Sequence, residues 1–380
     1  MADLIGTVLS GSEFKKTFIG PFYKFLNNNY KHHNFTYNLG LNIDIKKFNP
    51  TGECQKGGLY FCEIDKCHIY CFTYGRYLTQ IDVPDNAKVY IEKDKFKTDR
   101  LIVNTITHFD NVPIEFWIKL LKYDGFALQF IKEQTEELCK LAVQQNGYAL
   151  KYVKEQTPEI CKLSVQQAGF ALQYVQNQTE EICKIAVQQN GFALQYVNEQ
   201  TDAICKLAVQ QNGEVLKYVK KQTEEICKLA VQQYGFALKY VKKQTEEICK
   251  LAIQEKGFAL KCVKKQTEEI CKLAVQQYGN ALQYVKEQTE EICKLAVQED
   301  GLALQYVKEQ TPDLCLEAVK QDGEALQYVK EQTPELYLSI ALEAVRQSGS
   351  ALQYVKEQTE EICKLAVQQN SFAFNYVKNK

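Results

Sequence analysis

From Thr135 onward the apolar residues return at fixed intervals. Counted from the threonine of each unit, they stand at positions 3, 4, 6, 7 and 8, and again at 13, 14, 15, 17 and 18. Intervals of three and four mark helical faces, where a strand would alternate. Threonines recur every 22 residues from Thr135 to Thr333, and glycines keep the same step from Gly125 to Gly323. The next pair, Gly349 and Thr359, arrives after 26, so four extra residues sit near Leu336–Ala341. The unit reads T-x-E-I-C-K-L-A-V-Q-Q-x-G-F-A-L-x-Y-V-K-x-Q, and a degenerate copy near Pro113–Gln134 holds the only tryptophan, Trp117.

Each unit predicts two helices. Threonine is a favoured N-cap, and the proline after it at Pro158, Pro312 and Pro334 suits a first helical position. Acidic residues such as Glu136 and Glu137 favour the positive end of the helix dipole. Gly147 and its equivalents are expected to end the first helix with a left-handed turn, giving helices of roughly ten and eight residues. Helices that short bury a face only by stacking on their neighbours. The prediction is therefore a mainly α protein, a two-helix-per-repeat α-solenoid over residues 109–380.

Residues 1–108 differ in kind. Leu59–Cys62, His68–Phe72 and Lys88–Ile91 are β-rich runs, and Asn49–Gly52 and Lys56–Gly58 read as turns. Residues 12–30 read as a helix. A small α+β domain is expected here, ahead of the repeats.

Composition narrows the classes. The chain has 380 residues, 45 % hydrophobic, with 46 basic and 47 acidic side chains. That balance excludes a disordered tail and gives no whole-molecule attraction to nucleic acid or anionic lipid. No apolar run is long enough to span a bilayer, so no membrane partner is expected. The opening segment lacks the order of a secretory leader. The cysteines number 15, and most fall in the repeat ladder; stacked units lie about 8–10 Å apart, too far for a disulfide. They read as reduced packing residues of a cytoplasmic protein.

The repeat resembles the short helical repeats of unknown function expanded in giant viruses of the Mimivirus type and in some intracellular bacteria. Gly40-Leu41-Asn42, Phe48–Cys54 and Gly57–Phe61 resemble a segment that precedes ankyrin or other repeats in giant-virus proteins. The resemblance implies a viral, intracellular repeat protein and carries over no catalytic residue.

Cys54, Cys62, Cys67, His68 and Cys71 are the candidate zinc ligands, but their spacing lacks a C-x2-C knuckle, and buried free thiols are the plainer reading. Cys67 and His68 as a thiol–base pair would point apart on a strand. Gly57-Gly58 lacks the Lys-Ser/Thr of a phosphate loop, and the run that follows is only faintly like the strand entry of ADP-ribosyltransferase folds. No histidine falls after His108. We expect no enzyme activity, no cofactor and no bound metal.

Binding is the stronger expectation. The residue before each glycine varies, as in Asn146, Ala168, Tyr234, Lys256 and Tyr278, which is either tuning of a contact surface or drift at exposed turns. Three consecutive units carry Lys217, Lys220, Lys221; Lys239, Lys242, Lys243; and Lys261, Lys264, Lys265. Residues 214–269 hold twelve lysines and eight glutamates, a local net of +4. Stacking would align nine ammonium groups in a ridge suited to an acidic peptide or a phosphate backbone. Against that, Glu224, Glu225, Glu246, Glu247, Glu268 and Glu269 at the next helix starts would neutralise it. The expected partner is a host or viral protein. Nucleic acid is the rival, and the single arginine of the array, Arg346, speaks against a base-reading code.

Overall fold

The computed structural model describes residues 4–32, 34–51, 55–71, 75–330 and 334–378. They fall into two compact units, Met1–Gln189 and Asn190–Lys380. The expected α+β domain is present in the first, and both units carry the repeats.

In the first unit the short helix α1 (Gly11–Thr17) opens on Ser10, whose hydroxyl and Glu13 carboxylate close a capping box. The strands are β1 (Val8–Ser10), β2 (Phe22–Leu26), β3 (Lys31–His32), β4 (Phe35–Thr36), β5 (Gly40–Ile43), β6 (Leu59–Glu63), β7 (Tyr77–Asp82), β8 (Lys88–Ile91), β9 (Phe96–Thr98) and β10 (Arg100–His108). Eight of them form one antiparallel sheet in the order β1-β8-β9-β6-β2-β7-β10-β5, and β3 and β4 form a separate pair. Phe14 of α1 packs on Phe18, Phe22, Phe61 and Phe96, with ring centroids 4.9–5.7 Å apart. That aromatic cluster is the centre of the core.

Two expectations are corrected. The helix expected over residues 12–30 stops at Thr17, and Phe22–Leu26 is a strand. Pro21 has no N–H to donate and disfavours the α region at Gly20, so the helix cannot run through. The β-rich run at His68–Phe72 is instead mostly a helical turn, α2 (Cys67–Cys71). A short apolar run fits either period until something packs on it; here Cys67 is fully buried, its Sγ 3.9 Å from Cys62 Sγ on β6.

The repeats keep their predicted period and change their second element. In the unit from Thr135, the threonine hydroxyl accepts from Leu138 N–H and caps a ten-residue α-helix, Glu136–Gln145. The second element is a 3-10 helix of six residues, Gly147–Tyr152, where an eight-residue α-helix was expected. The cause lies in the preceding unit. Gln134 Oε1 accepts from Lys154 N–H at 3.0 Å, while its Nε2 donates to Tyr152 O at 2.9 Å. Those are the backbone groups a longer helix would spend within itself, so the chain leaves the helix at Val153.

Gly147 is also corrected. It does not adopt a left-handed conformation, since the positive-φ glycines are Gly6, Gly40, Gly57, Gly58 and Gly75. It is small because the next unit passes over it: a Cβ there would meet Ser164 O at 2.5 Å. Close approach of stacked backbones explains the glycine.

The buried ladder is as expected: Leu138, Cys139, Ala142, Val143, Ala149, Leu150 and Val153 in one unit, with buried equivalents in the others except the last, where Cys363, Val367 and Val377 are half-buried and Phe374 is exposed. The cysteines of the repeats, from Cys139 to Cys363, are free thiols. From Cys139 to Cys315 burial pushes the ladder thiols upward, to about 11 at Cys205. They are packing residues.

Candidate interaction surface

The candidate metal ligands do not gather into a site among the described residues. Cys62 and Cys67 touch each other, but no group of three or more His, Cys, Asp or Glu is arranged to hold an ion there. Cys54 lies outside the described residues, as does the side chain of Cys71. His68 stands on α2 next to Cys67, so the strand geometry assumed for that pair does not apply. The sheet holds a group that sequence pattern did not single out. Lys24 on β2 is buried, its Nζ 2.6 Å from His32 Nδ1, 2.7 Å from Tyr60 O and 4.6 Å from the Tyr37 ring. Desolvation pulls its amine down to about 7.

In the second unit the nine lysines divide into three columns with different fates. In the first column, Lys217 lies 5.2 Å from the Phe192 ring and 5.1 Å from Tyr218, Lys239 lies 4.6 Å from Tyr240, and Lys261 lies 4.4 Å from Phe236. Their ammonium groups rest on aromatic faces. In the second column, each Nζ reaches back to a carbonyl of the preceding unit: Lys220 to Asn198 O at 2.9 Å, Lys242 to Lys220 O at 2.9 Å, and Lys264 to Val241 O at 3.1 Å. Lys286, Lys308, Lys330 and Lys378 repeat this contact. This lysine is a staple between units. The third column, Lys221, Lys243 and Lys265, is exposed and enters no ion pair among the described residues.

The six glutamates offered as neutralisers are engaged elsewhere. Lys206 holds Glu225 at 2.6 Å; Lys228 holds Glu224 at 3.2 Å and Glu247 at 2.7 Å. Lys250 holds Glu246 at 2.7 Å and Glu269 at 3.0 Å, and Lys272 holds Glu268 at 3.0 Å. Each of these lysines sits at position 5 of its own α-helix, one turn after the first acidic residue, where i,i+4 pairing is favourable. The charge of the third column is left uncompensated by them.

The variable residue before each glycine is the N-cap of the 3-10 helix. Asn146, Asn190, Asn212, Asp300, Asp322 and Asn370 accept from the N–H two residues on. Much of the variation is thus interchange among capping side chains. Tyr234 and Tyr278 give up that bond, which costs roughly 1 kcal/mol at an ordinary N-cap. Their rings are 37 % and 41 % exposed. Tyr278 stacks on Phe258 at 5.3 Å and Lys256 Nζ lies 5.5 Å from it. Tyr234 falls within the stretch that carries the lysine columns, and Tyr278 in the unit that follows it.

Regular units that share one buried ladder and are joined by side-chain staples define a tandem-repeat solenoid. The chain belongs to the family described as "Domain of unknown function (DUF4116)", which matches six times in tandem, over residues 114–157, 157–201, 203–244, 245–288, 289–332 and 338–380. Each match spans about two of the units read from the sequence. The chain is also similar to three proteins of Acanthamoeba polyphaga mimivirus that are named as ankyrin repeat proteins. Identities are 38 % over 76 residues, 41 % over 65 and 33 % over 112. These cover 19 %, 17 % and 28 % of this chain, and the chain spans 37 %, 21 % and 33 % of the relatives' lengths. The expected likeness to giant-virus repeat proteins is borne out. Among the described residues no helix is long and apolar enough to cross a membrane.

Proposed function

We propose that the protein is a non-enzymatic viral scaffold, acting in the cytoplasm, that binds a protein partner along its repeats. In this reading residues 1–108 form one module and residues 109–380 the binding array. The carrying observation is local departure from a uniform unit. Between Glu214 and Tyr278 the core positions keep their chemistry, while Tyr234 and Tyr278 replace a capping side chain with an exposed ring, and Lys221, Lys243 and Lys265 replace the glutamate found at that position in most units. Exposed aromatics at a cost in capping are what contact with a partner would favour. The similarity to giant-virus proteins supports the viral origin, and the ankyrin-repeat names of those relatives support a protein as the partner.

The test is affinity capture from infected-cell cytosol with the full chain and with a Tyr234→Ala/Tyr278→Ala variant, each with and without nuclease. A protein retained after nuclease by the parent chain, and depleted several-fold by the variant, is the expected outcome. Capture lost on nuclease treatment would transfer the reading to nucleic acid. No specific capture by the parent chain would remove the scaffold function.

A further inference from the structure

We propose that Lys221, Lys243 and Lys265 form a docking track for a short, extended acidic segment of a protein, with its carboxylates three residues apart. The inference rests on the scaffold reading and specifies the chemistry of the partner.

Of the three lysine columns, one rests on aromatic rings and one is stapled to the carbonyls of the preceding unit. The glutamates of the neighbouring helix starts are held by Lys206, Lys228, Lys250 and Lys272. Of the nine, only the third column offers exposed ammonium groups that enter no ion pair, ring contact or hydrogen bond among the described residues, one per unit over three consecutive units.

Geometry then sets the register. Side-by-side helices of stacked units lie about 8–10 Å apart, so the three ammonium groups mark a line with that spacing. An extended peptide in the polyproline II conformation advances about 3.1 Å per residue and turns once every three residues, so three residues cover about 9 Å and return a side chain to the same face. Side chains at i, i+3 and i+6 would meet successive lysines. The flexible lysine stems, each with three donors, take up the remaining mismatch in spacing.

The flanks decide the length. The residue equivalent to Lys221 is Glu199 in the preceding unit, and Glu287 and Glu309 in the two units after Lys265. All three are exposed and none is ion-paired among the described residues. A polyphosphate chain that followed the column past three units would run onto carboxylates at either end, where like charges repel. A short acidic segment ends before that point. The alternation of sign therefore favours a peptide over a nucleic-acid backbone, whose affinity grows with the number of phosphates neutralised.

The test uses the full chain, a Lys221→Glu/Lys243→Glu/Lys265→Glu variant, and three labelled probes read by fluorescence anisotropy. The first is a peptide with glutamates at every third position, Glu-Ser-Ala-Glu-Ser-Ala-Glu. The second has the same composition with its glutamates contiguous, and the third is a thymidine oligonucleotide of equal length. The expected result is saturable binding of the spaced peptide, at least several-fold tighter than the contiguous one and the oligonucleotide. That binding should weaken steeply with salt and fall at least tenfold in the variant. Equal binding by the variant, no saturable binding of the spaced peptide, or tighter binding of the oligonucleotide would each overturn the track. The capture experiment separates this from the broader reading. If parent and charge-reversed chains retain the same protein equally, the acidic track fails and the scaffold stands. If the parent chain retains none, the scaffold itself fails.

Discussion

Lys24 shows how far one residue can depart from its ordinary chemistry when a sheet closes over it. It lies on β2 among Tyr37, Tyr60 and His32, and among the described residues no carboxylate reaches its amine. Desolvation lowers its pKa from 10.5 to about 7. Between those values the unfolded chain holds a proton that the folded chain has released, so Lys24 makes stability rise with pH. Its burial cost is fully present below pH 7 and is relieved as pH rises toward 10.5. The buried thiols Cys139 and Cys161, raised by burial, act in the opposite sense once unfolded thiols ionise above about pH 8.5. The clean window is pH 7 to 8.5. Across it, guanidinium unfolding followed by the fluorescence of Trp117, which packs against Phe109 and Phe116 in the first unit, should show parent stability rising relative to Lys24→Met. The slope of that difference should approach 1.4 kcal/mol per pH unit. A flat difference would mean that Lys24 is charged at neutral pH, with a partner that offsets its desolvation.

At the scale of the element, the joint between units rests on one amide per repeat. Gln222 Nε2 donates to Tyr240 O at 3.0 Å, and its Oε1 accepts from Lys242 N–H at 2.9 Å. The four-residue extension lengthens one helix to Pro334–Gln347 and brings Tyr337 to this joint. There the Tyr337 hydroxyl makes both kinds of bond, donating to Tyr354 O and accepting from Lys356 N–H, each at 3.2 Å. A phenol can do so because one oxygen both donates and accepts. Tyr337→Phe should keep the packing, lose about 1 kcal/mol and raise amide hydrogen exchange at Lys356. Gln222→Ala should cost more and raise exchange at Lys242. Unchanged protection at Lys356 in the phenylalanine variant would show that the hydroxyl is not the joint. The part Tyr337 plays is invisible to the repeat pattern, because it is defined by a neighbouring unit.

For the whole molecule, stability and recognition draw on different charges. Lys228, Lys250 and Lys272, at position 5 of their helices, form a ladder of exposed pairs with their own and the following unit's glutamates. Exposed pairs contribute little and are screened by salt, whereas the buried Ile/Cys/Ala/Val ladder is indifferent to it. One molar sodium chloride should therefore move the thermal midpoint by only a few degrees while it abolishes binding of the spaced acidic peptide. A collapse of the midpoint in salt would assign the ion-pair ladder a structural weight that its exposure argues against.

The period of the sequence is the period of the fold, and for that reason much was legible before any coordinates. Thr135 caps a ten-residue helix, most cysteines of the repeats are buried thiols, and the strands at Leu59–Glu63 and Lys88–Ile91 stand where β-rich runs and turn residues put them. These depend on interactions within one unit or one strand, which local sequence contains. What it did not contain were choices made by neighbours. The second element is a short 3-10 helix because Gln134 of the preceding unit captures the backbone at Lys154. Gly147 is small because Ser164 O lies over it. A ridge of nine lysines became one free column of three because carbonyls and rings of adjacent units occupy the rest. Sequence alone determined the repeat, its caps and its core, since those follow from side-chain chemistry at fixed spacing. Only the tertiary structure decided which polar groups remain free to meet a partner, since stacking satisfies some of them and leaves others in water.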